Sequence, residues 1–167
     1  MQKFQEVETM KESNLNSILS NLEAKSSALN TASETANQII SEIETKLISL
    51  NIGIEHWYTP PLGSSDCEGG AHETTACIED LLGFSRVDGK WCLSVKRVKS
   101  VSGFFEGDLS CPYENKYLES APSPLLNQSR NLRIRAIEVL PNFLENILTQ
   151  VGNHFEKIKS ATIELSR

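Results

Sequence analysis

The stretch SPLLNQSRNLRIRAIEVLPNFLENILTQVGNHFEKIKSATIEL, residues 123–165, decides the fold that we predict. Its apolar side chains recur at intervals of three and four residues, which places them on one side of a helix. Ser123 and Pro124 suit the N-cap and first turn of that helix, and Pro141 is expected to bend it without ending it. The apolar positions are Ile137, Leu140, Leu144, Ile147, Val151, Ile158 and Leu165.

A second long helix is predicted near the N-terminus, because residues 4–50 contain neither proline nor glycine. A helix of that length measures roughly 65–70 Å, so it needs a partner along its length and cannot be buried in a small globule. Its middle, residues 24–36, is rich in small side chains, which suit the bulky side chains expected on an antiparallel partner at 143–151. A seven-residue repeat has its first positions at Leu15, Leu22, Leu29, Ala36, Ile43 and Leu50.

The segment LLGFSRVDGKWCLSV, residues 81–95, predicts a β-hairpin. Asp88-Gly89 suits a two-residue type I′ turn, which places Val87 opposite Lys90 and Phe84 opposite Leu93. The apolar residues then share one face of the hairpin, so two separate signals agree. A two-stranded hairpin is marginal alone, and residues 54–58 are expected to add a third strand.

The other middle segments give weaker patterns. Residues 62–75 are rich in Gly, Ser and acidic side chains and predict an exposed loop. Residues 77–82 suit either a turn of helix or the start of a strand. Residues 100–120 mix aromatic residues with Gly, Pro and Asn and predict an irregular excursion with at most a short strand.

The fold class predicted from these segments is α+β. Two long helices, at residues 1–51 and 123–167, pack as an antiparallel hairpin, and residues 52–122 form a small three-stranded antiparallel sheet inserted between them. All 167 residues are expected to form a single domain.

Composition and charge exclude several classes of function. The net charge of −6 disfavours nucleic acid as a partner, because phosphates would be repelled from most of the surface. No run of about 18 apolar residues is present, so no membrane span is expected, and a polar N-terminus predicts a cytoplasmic protein. In that reducing compartment, the widely spaced Cys67, Cys77, Cys92 and Cys111 are expected to be free thiols.

Three residues of the polar loop are of types that bind zinc: Cys67, His72 and Cys77. Zinc sites usually have four ligands with paired short spacings, whereas these spacings are long. The alternatives are an ordinary polar loop and, in an oxidising setting, a Cys67–Cys77 disulfide. No other cofactor is predicted.

A weak ligand site is predicted where the sheet meets the helices, near Arg86, Trp91, Arg130 and Arg133. Arg130 and Arg133 lie on one side of the last helix, and paired guanidinium groups bind phosphate or carboxylate. The alternative is pairing with acidic side chains such as Glu138 or Glu44. Glu42 and Glu44 themselves are assigned to a solvated helix face.

The strand motif KWCL (90–93) and the helix motif SRNLRIRA (129–136), which an L-P pair at 140–141 follows, carry a resemblance. They resemble small bacterial proteins of uncharacterised function in which a W-x-L strand precedes an S-R-x-x-R-I-x-A helix. The resemblance covers about a third of the chain and implies the sheet-then-helix order, but no activity.

Two functions remain open at this stage. Both helix stripes are wider than a two-stranded seam requires, which predicts a homodimer whose helical hairpins form a four-helix bundle. The first function is therefore a non-enzymatic interaction or scaffold protein that self-associates through its helices and contacts an unknown protein partner. The second is a binding protein for a small anion, or a weak enzyme, with a pocket at the sheet–helix junction. We expect no catalytic residue set.

Overall fold

The computed structural model describes residues 2–65, 75–105 and 108–165, and it confirms the α+β class. The chain divides into two compact units, Met1–Gln38 and Ile39–Arg167, and the boundary between them falls within the first helix. The elements are α1 (Gln2–Ser49), β1 (His56–Trp57), β2 (Gly63–Ser64), β3 (Thr75–Val87), β4 (Lys90–Phe105), β5 (Asp108–Pro124), a 3-10 turn (Leu125–Asn127) and α2 (Arg130–Leu165).

The first unit is helical throughout its described residues. Its small hydroxyl side chains bond to the helix's own backbone, as Thr31 Oγ1 does to the Ser27 carbonyl at 3.1 Å and Ser33 Oγ does to the Leu29 carbonyl at 2.8 Å. From residue 15 onward, where side-chain exposure is described, this unit has several exposed large apolar side chains. These side chains belong to Leu15, Ile18, Leu19, Leu22 and Leu29.

In the second unit the predicted hairpin is confirmed, including its register. Val87 is opposite Lys90 and Phe84 is opposite Leu93, as the turn requires. Asp88 and Gly89 have φ values of +50° and +80°, the left-handed pair that a type I′ turn needs. The third predicted strand is also present, since β1 pairs antiparallel with β3.

The sheet is larger than the predicted three strands. In the described part of the chain it has five strands, with the order β1-β3-β4-β5 and with β2 also paired to β3. The expectation of an irregular excursion at 100–120 is wrong, because that segment forms the outer half of β4 and most of β5. Residues 77–82 are strand rather than helix. Polar pairs between strands occur in this region; Lys116 Nζ of β5, for example, lies 2.9 Å from Glu79 Oε2 of β3. The sequence of this region therefore lacks the alternation of apolar and polar residues that predicts a strand.

The core of the second unit lies between one face of the sheet and the two helices. The last turns of α1, the sheet and the first half of α2 contribute to one buried cluster. Phe143 is fully buried and meets the Tyr58 ring edge-on at a centroid distance of 6.3 Å. The main members are Ile40, Leu47, Leu82, Phe84, Leu93, Val95, Leu125, Ala136, Leu140, Phe143 and Ile147.

The last helix begins seven residues later than predicted. Ser123 and Pro124 end β5, and α2 starts at Arg130. Ser129 is the cap instead, since its Oγ accepts a hydrogen bond from the Leu132 N–H at 3.3 Å. Pro141 lies inside the continuous helix as expected, and the bend there stays a prediction. Among the described residues, no helix is long and apolar enough to cross a membrane.

Candidate functional site

One edge of β4 is uncovered next to the hairpin turn. The last pair between β4 and β5 joins Ser94 to Pro124, after which the chain leaves the sheet in the 3-10 turn. Residues 90–93 of β4 therefore continue without β5. The Leu93 N–H points away from β3 and donates instead to Glu44 Oε2 of α1 at 2.8 Å.

A cavity of about 740 Å³ opens at this edge. The end of α1 contributes Glu44 and Ile48 to its wall, the hairpin contributes Asp88 and Trp91, and Pro124 closes one side. Val87, Lys90 and Cys92 complete the lining. The volume falls within the range of small-molecule sites, and the wall combines apolar and aromatic surface with a few polar groups.

Two titratable groups in this wall have altered pKa values. Burial raises the pKa of the Glu44 carboxyl, and the hydrogen bond from Leu93 offsets part of that rise. Burial and the negative charge of Glu44 raise the pKa of the Cys92 thiol to about 11. Cys92 is free and buried, so it stays a neutral thiol near neutral pH and is a poor nucleophile.

The structure brings together two of the four residues predicted to bind a ligand. The Arg86 guanidinium lies over the Trp91 ring at 5.1 Å from its centroid, and Phe84 stacks on the same ring at 5.1 Å. This arrangement follows from the hairpin register, in which Arg86 and Trp91 are directly opposite.

Of the four predicted residues only Trp91 lines this cavity, and Arg86, Arg130 and Arg133 do not. Arg133 Nη1 donates to the Leu126 carbonyl at 2.8 Å, at the start of α2. Among the described residues, Arg133 forms no ion pair with either alternative partner, Glu138 or Glu44. The assignment of Glu44 to a solvated face is also wrong, because it is partly buried. The available signal was its position four residues after Ile40 and three before Leu47, which places Glu44 beside the apolar stripe of α1.

The predicted metal set falls mostly on residues that the structure does not describe. Cys67 and His72 lie outside the described ranges. Cys77 is disulfide-bonded, so the expectation of a free thiol is wrong for this residue, and in this form it offers no thiolate to zinc. Within the described ranges no three His, Cys, Asp or Glu side chains are grouped to hold a metal ion.

A second cavity, of about 260 Å³, lies beside β2. Arg97 forms a two-point ion pair with Asp80 there, with distances of 2.9 and 3.2 Å. Arg135 reaches the same cavity from α2, and its Nη1 atom lies 3.5 Å from the Leu62 carbonyl oxygen. Because Asp80 already neutralises Arg97, this cavity presents one further cation, Arg135.

Comparison with known proteins adds no assignment: the chain matches no family model, no curated protein and no solved structure.

Proposed function

We propose that this chain is a non-enzymatic interaction or scaffold protein that forms a homodimer through its two long helices. The observation that carries the proposal is an apolar stripe on each helix that begins in the buried core and continues into solvent.

On α2 the stripe is buried at Leu140, Phe143 and Ile147. About two and three turns further, at the same helical spacing, Phe155 is 62% exposed and Ile158 is 66% exposed. A soluble helix that ended its contacts at Ile147 would be expected to carry polar residues beyond it. The exposed continuation is therefore typical of a surface that another helix covers.

On α1 the apolar stripe also passes from buried to exposed positions, but here the exposed positions come earlier in the chain. Ile40 and Leu47 are buried, whereas Leu29 is 48% exposed and Leu22 is 62% exposed. Fully burying a leucine side chain contributes about 1.5–3 kcal/mol, so each half-exposed leucine offers roughly 1 kcal/mol to an assembly. Several such side chains on each of two copies would form the apolar contact surface of the proposed dimer.

In the form we propose, the N- and C-terminal helices align antiparallel, and two such hairpins pack as a four-helix bundle. The small side chains of residues 24–36 leave room for bulky side chains opposite them. In this form the sheet end of each chain is the part that we propose contacts an unidentified protein partner.

The alternative, a pocket for a small anion or a weak enzyme, receives less support from the cavity at the hairpin. Glu44 and Asp88 both line it, and Lys90 is its one cation among the lining residues. A wall of that charge repels an anion. Its thiol, Cys92, has a raised pKa, which argues against nucleophilic catalysis there.

The predicted cytoplasmic location remains a proposal, and the Cys77 disulfide weighs against it, because stable disulfides are rare in reducing compartments. Self-association through the helices does not depend on the compartment.

Sedimentation equilibrium of the full chain at micromolar concentration tests the proposal, with twice the 18.6 kDa chain mass as the expected result. Leu22→Glu and Phe155→Glu each place a charge in an exposed stripe and should shift the mass toward the monomer. Ser20→Glu adds the same charge on the opposite side of α1 and should leave the dimer intact. A monodisperse wild-type monomer, or equal masses for all three variants, would refute the proposal.

A further inference from the structure

The cavity at the hairpin edge has two carboxylates and one ammonium group in its wall, so a small cation meets an excess of negative charge there. We propose that it binds a small organic cation, a primary ammonium group carried on an apolar body, with the Glu44 carboxylate as the counter-ion. This inference concerns a site on a single chain, and it stands whether or not the chain forms a dimer.

The first observation is a carboxylate that is fixed in place and lacks a cation. Glu44 is held by the Leu93 N–H through Oε2 at 2.8 Å, which orients the carboxylate toward the open edge of β4. Within the described part of the chain, neither Glu44 nor Asp88 forms an ion pair, although Lys90 lines the same cavity. A partly buried carboxylate without a cation favours a ligand that brings one.

The second observation is an unused backbone acceptor beside that carboxylate. Trp91 is opposite Arg86 in a pair of the hairpin that is not hydrogen-bonded, so its N–H and C=O point away from β3. No β5 residue pairs with Trp91, because β5 leaves the sheet at Pro124. An ammonium group has three N–H donors, and the Trp91 carbonyl and the two carboxylates supply acceptors for them.

The third observation is the apolar part of the wall. Ile48 is 46% exposed, and together with Pro124 and the Trp91 side chain it gives the cavity a surface that can cover a hydrocarbon or aromatic group. A hydrated inorganic cation would gain no binding free energy from this apolar surface. An amine with an apolar body would gain some, because the surface would be removed from water when the amine binds. The ligand class is therefore an amphiphilic amine rather than a metal ion.

Isothermal titration calorimetry with 2-phenylethylamine tests the site, and 2-phenylethanol serves as the neutral probe of the same shape. We expect the amine to bind at least about tenfold more tightly than the alcohol, the difference expected for one charge-assisted hydrogen bond. Equal affinities for the two probes, or no heat from the amine at millimolar concentration, would overturn the proposal.

Variants then locate the site. Glu44→Gln keeps an oxygen that can accept from Leu93 but removes the charge, and it should weaken amine binding about tenfold or more. Glu42→Gln removes the same charge two residues earlier, outside the cavity lining, and should bind the amine as the wild type does.

Lys90→Gln provides a second and opposite readout that does not depend on how Glu44→Gln folds. Lys90 is exposed on the hairpin and its charge repels an incoming ammonium, so its removal should tighten binding severalfold. If Glu44→Gln binds as the wild type does, or if Lys90→Gln weakens binding, the amine is not held by this carboxylate and the assignment fails.

Discussion

Replacing Gly83 by alanine tests how Trp57 is held against the sheet. Gly83 is paired with Trp57 across β1 and β3, and the indole ring lies directly over the glycine. An alanine Cβ at position 83 would overlap two indole carbons, Cε3 and Cζ3, and would lie 2.7 Å from a third, Cδ2. Carbon atoms in good contact are about 3.5–4.0 Å apart, so the ring has to move.

Displacement of the indole ring lowers the free energy of unfolding. Overpacking a filled site costs about 1–3 kcal/mol. The moved ring also loses the Lys96 ammonium, whose Nζ atom lies 4.1 Å from the ring centroid, and a contact of that type contributes about 0.5–1 kcal/mol. Alanine gains about 0.5–1 kcal/mol over glycine in chain entropy, which offsets only part of the loss. The net destabilisation expected for Gly83→Ala is about 2 kcal/mol.

Thermal and urea unfolding measure this effect, which corresponds to a drop in Tm of roughly 4–8 °C for a chain of this size. Gly152→Ala on α2 is the matched control, because nothing lies within 4 Å of its added Cβ, and it should raise stability by up to about 1 kcal/mol. In a Trp57→Ala background the clash is absent, so Gly83→Ala should become neutral or stabilising. An equal loss of stability in both backgrounds would refute the role of the indole ring.

Three further predictions concern buried groups. Burial lowers the pKa of His56, whose Nε2 atom is buried and has no hydrogen-bond partner among the described residues. The unfolded chain therefore takes up a proton first, and stability should fall as the pH drops below about 6.5. Comparing unfolding of the wild type and His56→Phe between pH 5 and pH 8 checks this, and identical pH slopes for the two proteins would contradict it. Cys92 should resist iodoacetamide at pH 8 in the folded protein and react in urea, as peptide mapping would detect, because its pKa is about 11 and it is buried; rapid alkylation of the folded chain would show that this segment opens. Phe143→Ala should lower the free energy of unfolding by about 3–5 kcal/mol at any protein concentration, whereas Phe155→Ala should change that of the dilute single chain by less than about 0.5 kcal/mol and should cost more only at concentrations where the proposed dimer forms, as chemical denaturation at two protein concentrations would measure; similar losses for both variants in the dilute single chain would mean that Phe155 is already buried within one chain.

The sequence was informative wherever the signal was local. The apolar spacing of residues 137–151 and the absence of proline and glycine in residues 4–50 identified both helices, because helical hydrogen bonds join residues only four apart. Asp88-Gly89 determined the register of the hairpin, since a type I′ turn admits one pairing of its flanking strands. The apolar face that includes Phe84 and Leu93 followed from that register.

Tertiary structure decided the remainder, because it depends on residues that are distant in the chain. The outer parts of β4 and β5 are joined by polar pairs such as Ser100 with Glu114, and these strands show no regular apolar alternation. The start of α2 depends on where β5 stops pairing with β4. The residues around Ser123 do not by themselves indicate where that pairing stops. Both boundaries follow from strand pairing and not from propensity.

The candidate site shows the same division. The facing positions of Arg86 and Trp91 follow from the turn, and their contact is consistent with that local geometry. Glu44 joins the site only because the core packs the end of α1 against a strand 49 residues later, where an uncovered Leu93 N–H needs an acceptor. Hydrogen bonds between residues so far apart in the chain depend on how whole helices and strands pack. The sequence by itself therefore determined the elements and their apolar faces. The tertiary structure decided which polar groups meet at the edge of the sheet.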